Sequence, residues 1–258
     1  MPIEQINGID LYYESTGEGP VVTFLHGAGG NHISWWQQIP VFGQRYRCIT
    51  IDHRGFGRST DPREEGSARY VDDLEALLDR LGIERTALVA QSMGGRTAIG
   101  FAVRHPARVT ALAMCDTWGF FDWPAASERS AELRASLPEP PARGGLGPRF
   151  QREHPAGTFL YQQVLGLNPP RNADAIAAAP GVPTKDQVAA LRVPSLFLVG
   201  GVDPLVPPEI MRMTAAIVPG AQYAEVPDAG HSVYFEDPGA FNAHVGAFLS
   251  AHLSPRPA

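Results

Sequence analysis

The chain has 258 residues, 44% of them hydrophobic, which is enough for one sizeable core and fits a single α/β domain. The formal net charge is −6, and because no basic patch accompanies it, no nucleic-acid partner is expected. No apolar stretch approaches the roughly 18 residues that span a bilayer, which argues against a membrane partner. Residues 1–5 are polar and contain no apolar signal core, so we expect a cytoplasmic protein.

Eight segments are predicted as strands. Most are unbroken apolar runs, as expected of strands buried on both faces of a sheet. Asn7-Gly8 separates the first two and predicts a two-residue hairpin. The predicted strands are residues 3–6, 9–13, 21–25, 47–51, 86–90, 109–115, 195–199 and 222–226. Cys48 and Cys115 lie in two of these runs, so we expect buried free thiols rather than a disulfide or a metal pair.

Helical patterns lie between the strands. Residues 70–81 place apolar side chains on one helical face, and Pro106 ends the helix predicted over residues 94–104. Two further helices are predicted over residues 208–217 and 239–250. Strands that alternate with helices indicate an α/β fold with a mainly parallel sheet and helices on both faces.

One long segment interrupts this alternation. Residues 117–191 contain no strong strand pattern, begin with an aromatic cluster, and include a helical pattern over residues 125–136. An insertion of this length is too long for a plain loop. We therefore predict a core of residues 1–116 and 192–258, with residues 117–191 as a helical cap over the strand ends.

Ser92 follows an apolar run, and small residues flank it in Ala90-Gln91-Ser92-Met93-Gly94-Gly95. A small-x-Ser-x-Gly sequence after such a run is typical of a strand that turns sharply into a helix. The turn exposes the serine at a helix N-terminus, where the helix dipole favours developing negative charge. Ser92 is the predicted nucleophile.

A catalytic serine needs a base, and the base needs an orienting acid. Asp203 follows one predicted strand and His231 follows the last. In a parallel sheet both would lie with Ser92 at the carboxyl edge, where open α/β sheets place their sites. His231 is the predicted base and Asp203 the predicted acid. Asp116, which also follows a strand, is the rival acid.

The segment His26-Gly27-Ala28-Gly29-Gly30 directly follows the third strand. Its small residues allow close approach of a substrate to the backbone, and acyl transfer requires donors for an oxyanion. The Ala28 and Met93 N–H groups are the predicted donors. His26 is expected to hold the loop through a local hydrogen bond rather than to act as a base.

Aromatic residues suggest an apolar roof over this site, which favours a small-molecule substrate with an apolar or aromatic acyl or alcohol group. The candidate pocket residues are Trp35, Trp118, Phe120, Phe121, Trp123, Phe159 and Tyr161. No His/Cys cluster has ligand spacing and no glycine-rich loop fits a dinucleotide. Neither a metal nor an organic cofactor is expected.

These motifs, together with residues 52–59 (Asp-His-Arg-Gly-Phe-Gly-Arg-Ser), resemble the α/β-hydrolase superfamily over essentially the whole chain. The chain is most similar to small bacterial esterases, enol-lactonases, cofactor-free perhydrolases and meta-cleavage hydrolases. The resemblance implies an eight-stranded, mostly parallel sheet flanked by helices, with the second strand antiparallel and a helical cap inserted after the sixth. Ala90 departs from the first glycine of the family's Gly-x-Ser-x-Gly motif, but alanine is small enough for the turn.

The predicted function is cleavage of carboxylic esters or lactones by a serine hydrolase, through an acyl-enzyme on Ser92. One alternative is hydrolysis of a C–C bond in a meta-cleavage product, or peroxide-dependent perhydrolysis, at the same site. Ser232 stands where meta-cleavage hydrolases often have Trp, which weakens the first of these. A second alternative, outside the enzyme class, is a triad-bearing ligand receptor with very slow turnover.

Overall fold

The computed structural model describes residues 2–137, 144–170 and 181–253. Its single sheet has eight strands in the order β1-β2-β4-β3-β5-β6-β7-β8. The strands are β1 (Ile3–Ile6), β2 (Ile9–Thr16), β3 (Val21–Leu25), β4 (Arg47–Ile51), β5 (Thr86–Gln91), β6 (Val109–Cys115), β7 (Ser195–Gly200) and β8 (Gln222–Val226). Strand β2 runs antiparallel to both of its neighbours, and β3 to β8 are parallel. The predicted fold is confirmed.

The described helices are α1 (Ile39–Phe42), α2 (Tyr70–Arg80), α3 (Gly94–Arg104), α4 (Pro124–Ala135), α5 (Pro148–Glu153), α6 (Pro155–Gly166), α7 (Lys185–Ala189), α8 (Pro208–Ile217), α9 (Val233–Glu236) and α10 (Pro238–His252). Short 3-10 turns lie at His32–Trp35, Gly66–Ala68 and Pro106–Arg108. Among the described residues, no helix is long and apolar enough to cross a bilayer.

Two apolar layers hold the helices to the sheet. Residues of α2, α3 and α8 share one buried cluster with alternate strand residues such as Leu88 and Ala90. Residues of α1, α9 and α10 share another with the intervening Ala87 and Val89. Successive side chains of a strand point to opposite faces, so β5 contributes to both layers and is buried on both sides.

Asn7 and Gly8 form the predicted hairpin between β1 and β2. Both have positive φ, 48° and 78°, as a two-residue type I′ turn requires. Strand β2 continues to Thr16, three residues beyond the prediction, because Tyr13–Thr16 pair with β4. The side chains of this extension are mostly polar, so the sequence gives no apolar pattern for a strand there. Backbone pairing with β4 forms the strand instead.

Between β6 and β7 the described residues form α4, α5, α6 and α7, with one isolated bridge between Asp122 and Thr184. The helix predicted over residues 125–136 is α4, displaced by one residue. Helices α5 to α7 were not predicted. Two of them are only six and five residues long, which leaves little periodicity to detect. The division into core and cap stays a prediction.

Candidate active site

Ser92 lies in the sharp turn between β5 and α3. Its φ of 47° is in the left-handed region, which is uncommon for a residue with a side chain and marks a strained site. A Cβ added at Gly94 would lie 2.2 Å from the Leu25 carbonyl oxygen, and one at Gly95 would lie 2.3 Å from Thr117 Oγ1. The turn therefore needs both glycines for close packing. Ser92 itself remains partly exposed.

Ser92, His231 and Asp203 come together at the carboxyl edge of the sheet. His231 Nε2 lies 2.8 Å from Ser92 Oγ, and His231 Nδ1 lies 2.8 Å from Asp203 Oδ2. A carboxylate only accepts, so the ring proton sits on Nδ1 and donates to Asp203, while Nε2 accepts the serine proton. The geometry thus forms one continuous hydrogen-bonded chain from carboxylate to hydroxyl.

Burial and neighbouring negative charge shift the pKa of His231 in opposite directions. Burial alone would lower the pKa of the imidazole, because it disfavours the charged form. The negative charge and hydrogen bond of Asp203 outweigh burial, and the net pKa of His231 is raised above its usual value. An imidazole of this kind accepts a proton readily and is stabilised once it is charged.

Asp116 takes a different position from the one expected of a rival acid. Its Oδ1 accepts the Gly200 N–H at 3.0 Å and its Oδ2 accepts the Val233 N–H at 3.1 Å. It is fully buried, and burial, then the nearby Asp203 charge, raises its pKa well above the usual value. Asp116 ties the end of β7 to the start of α9, and the carboxylate hydrogen-bonded to the imidazole is that of Asp203.

Glu236 braces the loop that carries His231. Its carboxylate accepts the N–H of Gly230 at 2.9 Å and of Ser232 at 3.2 Å, one on each side of the histidine, and that of Gly147 at 2.8 Å. Burial raises the Glu236 pKa above its usual value. Sequence analysis missed this residue, and its one available signal was its place in the chain five residues after His231.

His26 fixes the orientation of the Gly27–Ala28 peptide. The His26 Nδ1–H and the Gly30 N–H both donate to the Gly27 carbonyl oxygen, at 2.8 and 2.9 Å. His26 Nε2 accepts the His53 N–H at 3.0 Å, which assigns the proton to Nδ1. Because C=O and N–H point in opposite directions in a trans peptide, the Ala28 N–H faces away from these anchors.

The segment 26–30 (loop 26–30 below) lies against the Ser92 turn. A Cβ added at Gly27 would lie 3.0 Å from Ser92 Cβ and 2.0 Å from Gln91 Oε1. The Gln91 amide also donates to the His231 carbonyl at 2.7 Å, which links the turn to the histidine loop. Within the described residues, neither the Ala28 N–H nor the Met93 N–H donates to a protein acceptor. Both amides beside Ser92 are thus available to a ligand.

Two of the predicted pocket residues differ strongly in burial. Trp35 is completely buried and packs against Phe24, Tyr234 and Phe241, with ring centroids 5.0 to 6.2 Å apart, so it is a core residue. Phe159 is 63% exposed on the outer side of α6. Contact of Trp35 and Phe159 with substrate stays a prediction.

The remaining five aromatic residues lie in two groups. Tyr161 is buried beside the histidine loop, and its hydroxyl is 2.8 Å from Ser232 Oγ. Trp118, Phe120, Phe121 and Trp123 form a contiguous aromatic cluster after β6, with neighbouring ring centroids 5.3 to 5.9 Å apart. Phe120 and Trp123 are partly exposed. Contact of either group with substrate stays a prediction.

Comparisons with known proteins agree with this fold. The sequence profile described as alpha/beta hydrolase fold matches residues 20–139 and 129–238. A relative from Caulobacter sp. (strain K31), named as a carbamate hydrolase, RutD, is 30% identical over 271 residues, which cover 95% of this chain and 97% of that protein.

In the part of the chain that the structure describes, no cluster of three or more His, Cys, Asp or Glu residues could hold a metal ion.

Solved structures are similar over nearly the full length. A thermophilic esterase from Thermogutta terrifontis is 29% identical, with a TM-score of 0.79 and 95% of each chain covered. Est816, described as an N-acyl homoserine lactone degrading enzyme, is 27% identical with a TM-score of 0.78, over 96% of this chain and 100% of that one. The chain therefore belongs to the α/β-hydrolase fold family.

Proposed function

We propose that the protein is a serine hydrolase that cleaves carboxylic esters or lactones through an acyl-enzyme on Ser92. The observation that carries this proposal is the unbroken chain of 2.8 Å contacts from Asp203 Oδ2 through His231 to Ser92 Oγ. Nucleophile, base and orienting acid are already within hydrogen-bond reach, as nucleophilic catalysis by serine requires.

In the acylation step, His231 Nε2 takes the Ser92 proton while Oγ attacks the substrate carbonyl carbon. Negative charge develops on the carbonyl oxygen, which the free Ala28 and Met93 N–H groups stabilise. Asp203 stabilises the imidazolium and keeps the ring in place. His231 then returns the proton to the leaving alcohol as the C–O bond breaks.

Deacylation repeats the same proton transfers with water. His231 Nε2 removes a proton from a water molecule that attacks the acyl carbon, and the same two N–H groups bind the second oxyanion. Collapse of this intermediate breaks the bond to Ser92 Oγ, which recovers its proton from His231. The products are the free acid and the alcohol, or a hydroxy acid from a lactone.

An apolar or aromatic small molecule is the proposed substrate, as the aromatic cluster after β6 suggests. The partly exposed Phe120 and Trp123 supply apolar surface after β6. Similarity to the Thermogutta esterase and to the lactone-degrading Est816 supports ester and lactone substrates. Both relatives share the fold over at least 95% of this chain.

The nucleophile is tested by Ser92→Ala on a short p-nitrophenyl ester. We expect kcat to fall at least about 1,000-fold, because loss of the nucleophile leaves only binding and oxyanion stabilisation. Ser127→Ala, an exposed serine on α4, is the matched control and should keep full activity. A Ser92→Ala enzyme with most of its activity would show that the nucleophile lies elsewhere.

The alternative chemistries use the same site and are separated by substrate. Esters, lactones, a dienone acid and an ester with added hydrogen peroxide form the panel. A fluorophosphonate that labels Ser92, with turnover of esters or lactones above the others, supports the proposal. Preference for the dienone acid or for peroxide would select C–C hydrolysis or perhydrolysis. Stoichiometric labelling without turnover would indicate a receptor.

A further inference from the structure

Loop 26–30 is attached to α6 as well as to the core. Asn31, directly after the loop, is 1% exposed and its side-chain N–H₂ donates to the Val164 carbonyl at 3.1 Å. The opposite contact comes from Asn168, just beyond the end of α6, whose side-chain N–H₂ donates to the Gly29 carbonyl. We call this reciprocal pair of Asn31 and Asn168 contacts the asparagine clasp.

The physical basis of the clasp is the free end of a helix. The last carbonyl groups of a helix have no intrahelical partner and must find donors elsewhere. In α6 the Val164 carbonyl accepts the Asn31 amide at 3.1 Å in addition to the Leu167 N–H at 3.3 Å, and the Leu165 carbonyl accepts the Asn168 amide at 3.3 Å. The clasp satisfies the end of the helix and the backbone of loop 26–30 with the same two side chains.

Asn168 also contacts a third segment. Its Oδ1 accepts the Gly57 N–H at 2.8 Å, in the turn after β4. That turn is held in place by Asp52, which accepts the Arg58 N–H at 2.8 Å and the His32 N–H at 2.6 Å. One amide side chain therefore connects α6, loop 26–30 and the anchored turn. Each of its two polar atoms has a partner.

Packing at the same place restricts movement of the loop. Gly29 has a φ of +109°, and a Cβ added there would lie 2.8 Å from Leu165 Cδ2. The Leu165 side chain therefore sits directly over the peptide that follows Ala28. Movement of α6 away from the core would remove this contact and the Asn168 hydrogen bond together.

We propose that Asn168 is a positioning residue for the Ala28 oxyanion donor: through the clasp, α6 holds loop 26–30 so that the Ala28 N–H stays aligned with Ser92. The inference rests on the proposed function, which assigns the Ala28 N–H to the oxyanion. Asn168 itself does not touch the reacting atoms. It acts on kcat, because the oxyanion forms only after attack.

Two substitutions separate the functions of the amide. Asn168→Asp keeps the acceptor for Gly57 but loses the donor and brings a carboxylate against two carbonyl oxygens. Asn168→Leu removes both functions at similar volume. We expect each to lower kcat about 10- to 100-fold, since loss of one oxyanion donor costs roughly 100- to 1,000-fold and a misplaced donor loses part of that. KM for a short ester should stay within about twofold.

Three readouts separate alignment from general damage. Fluorophosphonate titration gives kcat per reactive Ser92, and thermal unfolding reports the loss of folded protein. A trifluoromethyl ketone, which forms a tetrahedral adduct with an oxyanion, should bind more weakly by the same factor as kcat. Gln163→Leu, an exposed residue of α6, is the matched control and should leave all three unchanged.

Hydrogen–deuterium exchange over residues 26–35 tests the clasp without any substrate, and faster exchange is expected in both Asn168 variants. Unchanged exchange, or an unchanged kcat per titrated site with unchanged ketone affinity, overturns the inference. A kcat loss in Asn168→Leu alone would overturn it too, because Gly57 would then be the relevant partner. A wild-type protein without ester or lactone turnover would contradict the proposed function, while the exchange result would still decide the clasp.

Discussion

Asp203 divides its two carboxylate oxygens between two roles. Oδ1 accepts the Leu205 and Val206 N–H groups at 2.8 and 2.9 Å, and Oδ2 is left for His231. Two backbone N–H groups just after Asp203 therefore hold the carboxylate in place, and this fixes the oxygen that orients the imidazole. Asp116 has both oxygens on backbone N–H groups and none on the ring.

This difference predicts opposite results for two isosteric substitutions. Asp203→Asn should lower kcat by about 10,000-fold, because an amide can hold the imidazole in the wrong tautomer. Asp116→Asn should lower the free energy of unfolding by about 1–3 kcal/mol, since one backbone N–H then faces a donor, with kcat per folded enzyme reduced far less. Urea unfolding and steady-state kinetics on both variants check the pair. A larger kcat loss at Asp116 would reverse the assignment.

The raised pKa of His231 predicts a pH dependence for the proposed reaction. The base must be neutral, and Asp203 keeps it protonated to a pH above its ordinary pKa of 6.5. We therefore expect kcat/KM to rise with pH through a midpoint above 6.5 and to be lost as pH falls below it. The Asp203→Asn substitution removes the negative charge that opposes the effect of burial, so the pKa of His231 should fall. NMR titration of the His231 ring measures both values, and equal values would contradict the charge argument.

At the level of residues, the sequence predicted the positions that follow strands. Ser92 and Asp203 were identifiable because each closely follows an apolar run, and His231 because it lies in a loop shortly after the last predicted strand. Asp116 has the same sequence context as Asp203, so only the fold distinguishes them. Asn168 had no signal in the sequence, because two of its three partners, Gly29 and Gly57, lie far away along the chain.

At the level of elements, the site is built from the ends of β5, β7 and β8 and from close contacts between segments. Apolar runs predicted the strands well because they are buried on both faces. The short helices α5 and α7 and the polar end of β2 were not predicted. Strand pairing and tertiary packing stabilise these elements, and their sequences show no clear apolar periodicity. The turn into α3 is one of these close contacts.

Gly94→Ala should test that contact. The added Cβ would lie 2.2 Å from the Leu25 carbonyl oxygen, so α3 must move away from β3, and we expect a loss of at least about 1–3 kcal/mol in the free energy of unfolding. Gly246→Ala on α10 is the control: its Cβ would make an ordinary contact at 3.6 Å, and alanine favours a helix by about 0.5–1 kcal/mol. Chemical denaturation of both variants gives the comparison. Equal stabilities would refute the packing argument.

At the level of the whole molecule, a buried ion network joins parts of the chain that the sheet alone does not connect. Arg54 is 1% exposed and donates to both oxygens of Asp73 on α2, at 2.6 and 2.8 Å, and to Glu65 at 2.8 Å. Asn7, in the β1–β2 hairpin, donates to the same Asp73 at 3.0 Å. The edge hairpin, the turn after β4 and α2 thus share one charge cluster.

Removal of Arg54 should therefore be costly for the fold. Arg54→Ala leaves the buried Asp73 carboxylate without its counter-charge, and we expect a loss of about 3–5 kcal/mol in the free energy of unfolding. Arg80→Ala breaks only the exposed pair with Glu4 and should cost at most about 1 kcal/mol. Denaturant titration distinguishes them. Similar small losses would mean that the buried cluster contributes little.

The distance along the chain between the reacting groups has a consequence for synthesis. Ser92 and His231 are 139 residues apart, and His231 follows β8, the last of the described strands in chain order. Under the proposed mechanism, a growing chain that has already folded the Ser92 turn still has no base, so its serine would not be activated. Under the proposed mechanism, activity therefore requires the pairing of β8 with β7, and recovery of activity on refolding reports that pairing as well as the formation of the turn.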